Sequence, residues 1–210
     1  ASTDLSAIAN QGNFALFSHP VLSMRQLGGM WQAMKSDKNQ KLLQAKIREL
    51  PEYKNGEMKR AGLYLAMDAG PNDPLQKQEE AMANRFVDKI PKKFGGGILR
   101  ATSRAYTTYL DLIRVASYLS LKNNLVEGGW FMQPQEPTTD RLKSITSLIN
   151  NGTGRGSLGT GKFGAGMNQA APFLNTFMFA PRFGVSRFAM ALGFPLWTAS
   201  KGTKRLIAIE

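Results

Sequence analysis

Ala105, Tyr109, Leu112, Ala116 and Leu119 recur at spacings of 4, 3, 4 and 3, and nothing else in the chain restricts its fold as strongly. Tyr106, Leu110 and Ile113 widen the stripe, while Arg100, Arg104, Thr107, Asp111 and Arg114 fall on the opposite side. Apolar residues at this period define an amphipathic helix. The pattern predicts a helix over about Ile98–Asn123, with a core face and a solvated, basic outer face.

The preceding sequence reads as further helices cut apart by Pro and Gly. Val21, Met24, Leu27, Met30, Trp31 and Met34 follow Pro20, a residue suited to a helix's first turn. Gly28 and Gly29 inside that segment weaken the helix or admit a close neighbour. Other helices are expected over about Lys38–Leu50 and Gly56–Met67, and from Asp73-Pro74 to Ile90. A short turn is expected at Asp4–Ala9, and Gly95, Gly96 and Gly97 read as a flexible joint. Gly128-Gly129 ends the long helix, and a last regular one runs from Thr138 or Thr139 to Asn150-Asn151-Gly152. No segment alternates with period two, so the expected class is all-α.

At Gly152 the composition changes. Seven of the fifteen residues from Gly152 to Gly166 are Gly and none is acidic. Short apolar pieces follow at Ala170–Met178, Pro181–Leu192 and from Pro195 onwards, and Phe173, Phe177, Phe179, Phe183, Phe188, Phe194 and Trp197 make this region unusually aromatic. So many rings cannot be buried in one short hairpin, so they need the first half of the chain or a partner. The expected organisation is a helical domain over 1–151, a Gly-rich linker over 152–167 and an apolar helical assembly segment over 168–210.

Charge sharpens this division. The net charge is +12, yet residues 141–210 hold nine Lys and Arg and one acid, Glu210. Such a stretch attracts polyanions: nucleic acid, an anionic membrane surface or an acidic protein face. The absence of Cys excludes disulfides and thiolate metal sites. The longest apolar runs, Ala170–Pro181 and Phe188–Ala199, are too short to span a bilayer. The chain starts at Ala1 without an initiator Met and stops in an apolar run, as expected for a piece of a longer polypeptide.

Several motifs imitate chemistry. Gly154–Gly159 and Gly159–Gly164 each satisfy G-x-G-x-x-G, but a dinucleotide site needs a strand before it and a helix after it. Gly156–Lys162 approaches a phosphate-binding loop, yet Phe163 stands where Ser or Thr would hold magnesium and no Asp follows. A run of exposed N–H groups beside Arg155 and Lys162 could still wrap a phosphate. His19 has no second imidazole or thiol to work with, and Glu79-Glu80 sit beside Lys77 and Arg85 as solvated helix partners. No catalytic residue, metal site or cofactor is expected.

Two segments carry a family resemblance: Ile149–Gly159 (INNGTGRGSLG) and Ala171–Arg187 (APFLNTFMFAPRFGVSR). They resemble the N-x-x-T-G-R-G and L-N-x-x-x-F-(S/A)-P-R-(F/L)-x-x-S-R signature of a large polyvalent-protein-associated domain. The matching positions are Asn150, Thr153, Gly154, Arg155, Gly156, Asn175, Pro181, Arg182, Ser186 and Arg187. Looser agreement occurs at Ser18–Pro20, Lys59–Leu63 and Arg104–Leu110, whereas the spacer Thr160–Asn168 is longer and richer in Gly than that pattern.

The resemblance implies a domain of the very large proteins of bacteriophages and other mobile elements, typically packaged inside the virion and delivered with DNA to the host periplasm or cytoplasm. It transfers no catalytic role. The expectation is therefore a non-enzymatic domain of an internal virion or DNA-ejection protein, acting by assembly with sibling subunits or other virion proteins, as a homo-oligomer. Phe173, Phe177, Phe179, Phe183, Phe188 and Trp197 are the expected assembly residues, and Arg155, Lys162, Arg182 and Arg187 the expected contacts to phosphates or acidic faces. The alternatives are a nucleic-acid-binding module of a large injected enzyme, such as a virion polymerase, and a segment that enters the host membrane interface.

Overall fold

A computed structural model describes residues 20–68, 96–128, 133–155, 186 and 188–209. About 80% of these residues are helical and none lies in a strand, so the fold class is all-α. The expected turn at Asp4–Ala9 and helix from Asp73-Pro74 to Ile90 lie outside the described residues.

Helix α1 (Pro20–Lys35) and α2 (Asp37–Glu49) are separated by the single residue Ser36. Ser36 has extended backbone angles and its hydroxyl accepts the Asn39 N–H at 3.1 Å, capping α2. Asn39 Nδ2 reaches back to the Gln32 carbonyl at 3.0 Å, and Asp37 in the first turn pairs with Lys41 at 2.9 Å. Pro51 has no N–H to give, so α2 stops at Glu49 and the short α3 (Pro51–Lys54) begins a new direction.

The helix expected over Gly56–Met67 is interrupted. Only α4 (Glu57–Ala61) forms, then Gly62 turns left-handed at φ 80°. There the Gly62 N–H bonds the Lys59 carbonyl and the Leu63 N–H bonds that of Met58, which satisfies the helix end. Residues 63–65 run without regular structure into a 3-10 turn at Ala66–Asp68. Other elements take the N–H groups that a continued helix would have used.

The long helix α5 (Gly96–Glu127) has 32 residues and is roughly 48 Å long. It starts inside the Gly triplet expected to be a flexible joint, and Gly128, at φ 70°, follows its end. Helix α6 (Thr139–Gly152) begins at the expected position after Thr138. The final turns are α7 (Phe194–Thr198) and α8 (Lys204–Ile209).

Two apolar clusters are strung along α5. At its first half, Met30, with Leu27 and Met34 beside it, packs from α1 onto Ala105, Tyr106, Tyr109, Leu110 and Ile113. At its second half, Val115, Tyr118, Leu121 and Leu125 meet Ile47 of α2, Met58 and Ala61 of α4, Leu63 and Leu65. Leu142, Ile145, Leu148 and Ile149 of α6 complete this cluster. Ala199, Leu206 and Ile207 also belong to it, so the end of the chain is built into the same core.

Close approach of α1 to α5 depends on Gly29. A Cβ there would lie 2.5 Å from Leu112 Cδ1, whereas one on Gly28 would meet nothing within 4 Å. Arg104 reinforces the crossing by donating to the carbonyls of Ala33 and Met34 at 3.4 and 3.3 Å, two acceptors left over at the C-terminal end of α1.

The solvated outer face expected for α5 is corrected at Asp111 and Arg114. Both are buried, with side chains 3% and 0% exposed. The helix is wrapped on nearly all sides along this stretch, and its polar side faces the loop after α4 and the end of α6.

Candidate functional site

Asp111 and Arg114 stand at the centre of a buried polar network that joins three distant parts of the chain. Asp111 lies one turn N-terminal of Arg114 on α5, which sets its carboxylate 3.8 Å from Arg114 Nη1. The same carboxylate accepts the backbone N–H groups of Ala66 and Met67 at 2.6 and 3.0 Å. Two of the amides displaced when α4 ended are satisfied in this way.

From the other side, Arg114 Nε donates to Thr153 Oγ1 at 2.9 Å and Nη2 to the Thr153 carbonyl at 3.3 Å. Thr153 in turn donates to the Ile149 carbonyl at 2.8 Å, so the C-terminal end of α6 holds its hydroxyl in place. Asn150 works as a clamp: Oδ1 accepts the Tyr64 N–H at 3.1 Å and Nδ2 donates to the Gly62 carbonyl at 2.8 Å. One turn earlier, Thr146 donates to the Ala61 carbonyl.

Arg155 follows a left-handed Gly154 at φ 76° and its N–H bonds the Asn150 carbonyl at 2.6 Å, closing the end of α6. Its guanidinium carbon lies 4.6 Å from the Tyr64 ring centre, and that of Arg114 lies 5.0 Å from the same centre. A tyrosine ring attracts cations through its negative face, which suits it to sit against two guanidinium groups. Arg155 is 6% exposed. It was expected to reach a phosphate or an acidic partner, and the structure places it inside the fold.

The segment Asn150–Arg155 is therefore the fastening between α6, α5 and the loop 62–67. Asn150, Thr153, Gly154 and Arg155 were singled out through the family signature, and each has a structural task. Tyr64, Asp111 and Arg114 were not recognised. The available signal was the width of the apolar stripe on α5: with Tyr118, Leu121 and Leu125 added, little of the helix is left to face solvent.

A second polar cluster lies between α3, α4 and α5. Lys122 Nζ is 2.7 Å from Glu57 and 3.3 Å from Glu52, and the Tyr118 hydroxyl donates to Glu57 at 2.8 Å. Burial and then the bond to Glu57 push the Tyr118 hydroxyl pKa well above its ordinary range. Burial pulls the Lys122 pKa down, but the hydrogen bonds and attraction of Glu57 and Glu52 outweigh it and raise the value. The arrangement binds α5 to the α3–α4 corner.

The chain matches no protein-family model, no curated protein and no solved structure.

Among the expected assembly residues, Phe188 and Trp197 are described, and both project outward at 73% and 72% exposure. Residues 188–191 are helical, Gly193 turns left-handed at φ 67°, and α7 follows. A side chain at Gly193 would meet the Trp197 indole, whose N–H donates to the Leu192 carbonyl at 3.0 Å. The indole N–H is thus satisfied within the turn, while Leu192 and Phe194 are exposed beside the ring. The base of this turn is anchored: Pro195 and Ala199 are buried, and the Ser200 N–H bonds Ser144 Oγ of α6 at 3.0 Å. Lys162, Arg182, Arg187, Phe173, Phe177, Phe179 and Phe183 lie outside the described residues.

Among the described residues, no group of three or more His, Asp or Glu side chains is placed to hold a metal ion, and no helix is long and apolar enough to cross a membrane.

Proposed function

We propose that this chain is a non-catalytic assembly module of a bacteriophage internal virion or DNA-ejection protein. It docks onto sibling subunits or other virion proteins through the aromatic turn at 188–197. One observation carries the reading. Phe188, Leu192, Phe194 and Trp197 all face outward on a turn with no charged residue from Phe188 to Ser200, while the base of that turn is held in the core. A rigidly presented aromatic cluster is the type of surface that supplies binding hot spots. The virion setting and delivery with DNA rest on the resemblance of Ile149–Gly159 and Ala171–Arg187 to the polyvalent-protein-associated signature.

Contacts to phosphates or acidic faces fall in this reading to Lys162, Arg182 and Arg187, with Arg155 engaged by Tyr64. The nine Lys and Arg against one acid in residues 141–210 favour a second reading, a nucleic-acid-binding module of a larger injected enzyme. Sedimentation of the chain over a range of salt separates the two. Assembly through aromatic rings holds or strengthens at high salt and is lost in a Phe188→Ser, Trp197→Ser double variant. A chain that stays monomeric at all concentrations, and binds DNA with an affinity falling steeply with salt, would replace the first reading by the second.

A further inference from the structure

Helix α1 buries one apolar side and exposes a second beside it. Met30, Ala33 and the half-buried Leu27 face α5. On the exposed side, Val21, Met24, Gly28 and Trp31 follow one another at spacings of 3, 4 and 3, with Lys35 next in the series. Val21, Met24 and Trp31 are 65%, 67% and 57% exposed, and the surface over Gly28 is open. Nothing in the packing of α1 on α5 requires three large apolar side chains on the outer side.

The shape of this stripe indicates its occupant. Alternating 3–4 spacing along a narrow line is the seam that a second helix covers, with large side chains entering the holes of its neighbour. A lipid interface is met instead by a broad apolar face. Gly28 between Met24 and Trp31 leaves such a hole, and Trp31 is a large anchor beside it.

Charge then selects the kind of helix. Helix α1 has no carboxylate, and Arg25 and Lys35 are the charges on its exposed surface. Over α1 and α2 together there are six Lys and Arg and two acids, of which Asp37 is tied to Lys41. The same face of a second copy would set cations against cations, whereas carboxylates on a partner helix would face Arg25 beside the seam and Lys35 at its end.

We propose that the outer side of α1, centred on Met24, Gly28 and Trp31, docks an acidic amphipathic helix of a partner protein. This surface is separate from the aromatic turn at 188–197 and does not depend on the role assigned to it.

The test uses the whole chain and two labelled synthetic peptides of roughly three heptads, each with Leu at the seam positions. One carries Glu at the flanking positions and the other Lys. Fluorescence anisotropy is expected to give at least about tenfold tighter binding of the Glu peptide, and Trp31→Ala to weaken it by a similar factor. An Arg25→Glu, Lys35→Glu variant, altered only at exposed positions, is expected to prefer the Lys peptide. Circular dichroism checks that both variants keep their helix. Equal binding of the two peptides, indifference to Trp31→Ala or an unchanged preference after charge reversal would overturn the proposal. So would Trp31-dependent dimerisation in sedimentation, or Trp31-dependent binding to phosphatidylserine vesicles in place of the peptide.

Discussion

Asp111 has more partners within the described fold than a single carboxylate on a helix face would suggest. It accepts two backbone N–H groups from the loop after α4 and faces the guanidinium of Arg114, all away from solvent. A buried ion pair contributes little beyond a well-packed apolar pair, but breaking one by deleting a single partner is costly. Asp111→Ala is therefore expected to destabilise the chain by about 3–5 kcal/mol, measured by urea denaturation, because two amides and one cation lose their acceptor together. A loss below about 1 kcal/mol would mean that the network is peripheral to stability. Asn150 shows the same economy: its one side chain ties the carbonyl of Gly62 and the N–H of Tyr64, two groups that a continuous helix would have paired internally.

At the scale of elements, α1 and α5 cross closely because one of two adjacent glycines lies in the contact and the other lies outside it. Ala in place of Gly is worth roughly 1 kcal/mol to a helix interior when nothing is in the way. Gly28→Ala is expected to raise stability by about that amount, since its Cβ meets nothing. Gly29→Ala must displace Leu112, so it should fall short of Gly28→Ala by about 1 kcal/mol or more. Paired thermal melts read the difference, and equal gains would mean that Leu112 moves freely aside. The helices most legible in the sequence are those with caps and breakers in the chain itself. Pro20, Pro51 and Gly128 stand near the starts and ends of α1, α3 and α5. The segment 56–67 does not form one helix although its apolar spacing suits one, because its backbone partners, Asp111 and Asn150, come from residues 44 to 88 positions away.

For the molecule as a whole, four titrating groups respond to alkali in the same direction. Tyr53 is raised first by its bond to Asp68, Tyr109 by burial, Tyr118 by burial and Glu57, and Lys122 by Glu57 and Glu52 against its burial. Each keeps its proton in the folded chain at a pH where the unfolded chain releases it, near 10.0 for tyrosine and 10.5 for lysine. Their contribution is complete below about pH 10 and is lost as pH climbs further. The melting temperature should accordingly fall above about pH 10, with a shallower slope in Tyr118→Phe, which loses about 1–2 kcal/mol at neutral pH from the bond to Glu57. A melting temperature flat to pH 11 would contradict this. The all-α class and the long helix were written into local pattern: period and breakers act between neighbours in the chain, whereas the outward placement of Phe188 and Trp197 was decided by the fold. The burial of Asp111, Arg114 and Arg155, the break after α4 and the insertion of Leu206 and Ile207 into the core were settled only by tertiary contact. Each depends on groups brought together from far along the chain, and a charge reads as solvated until the fold supplies the partners that let it leave water.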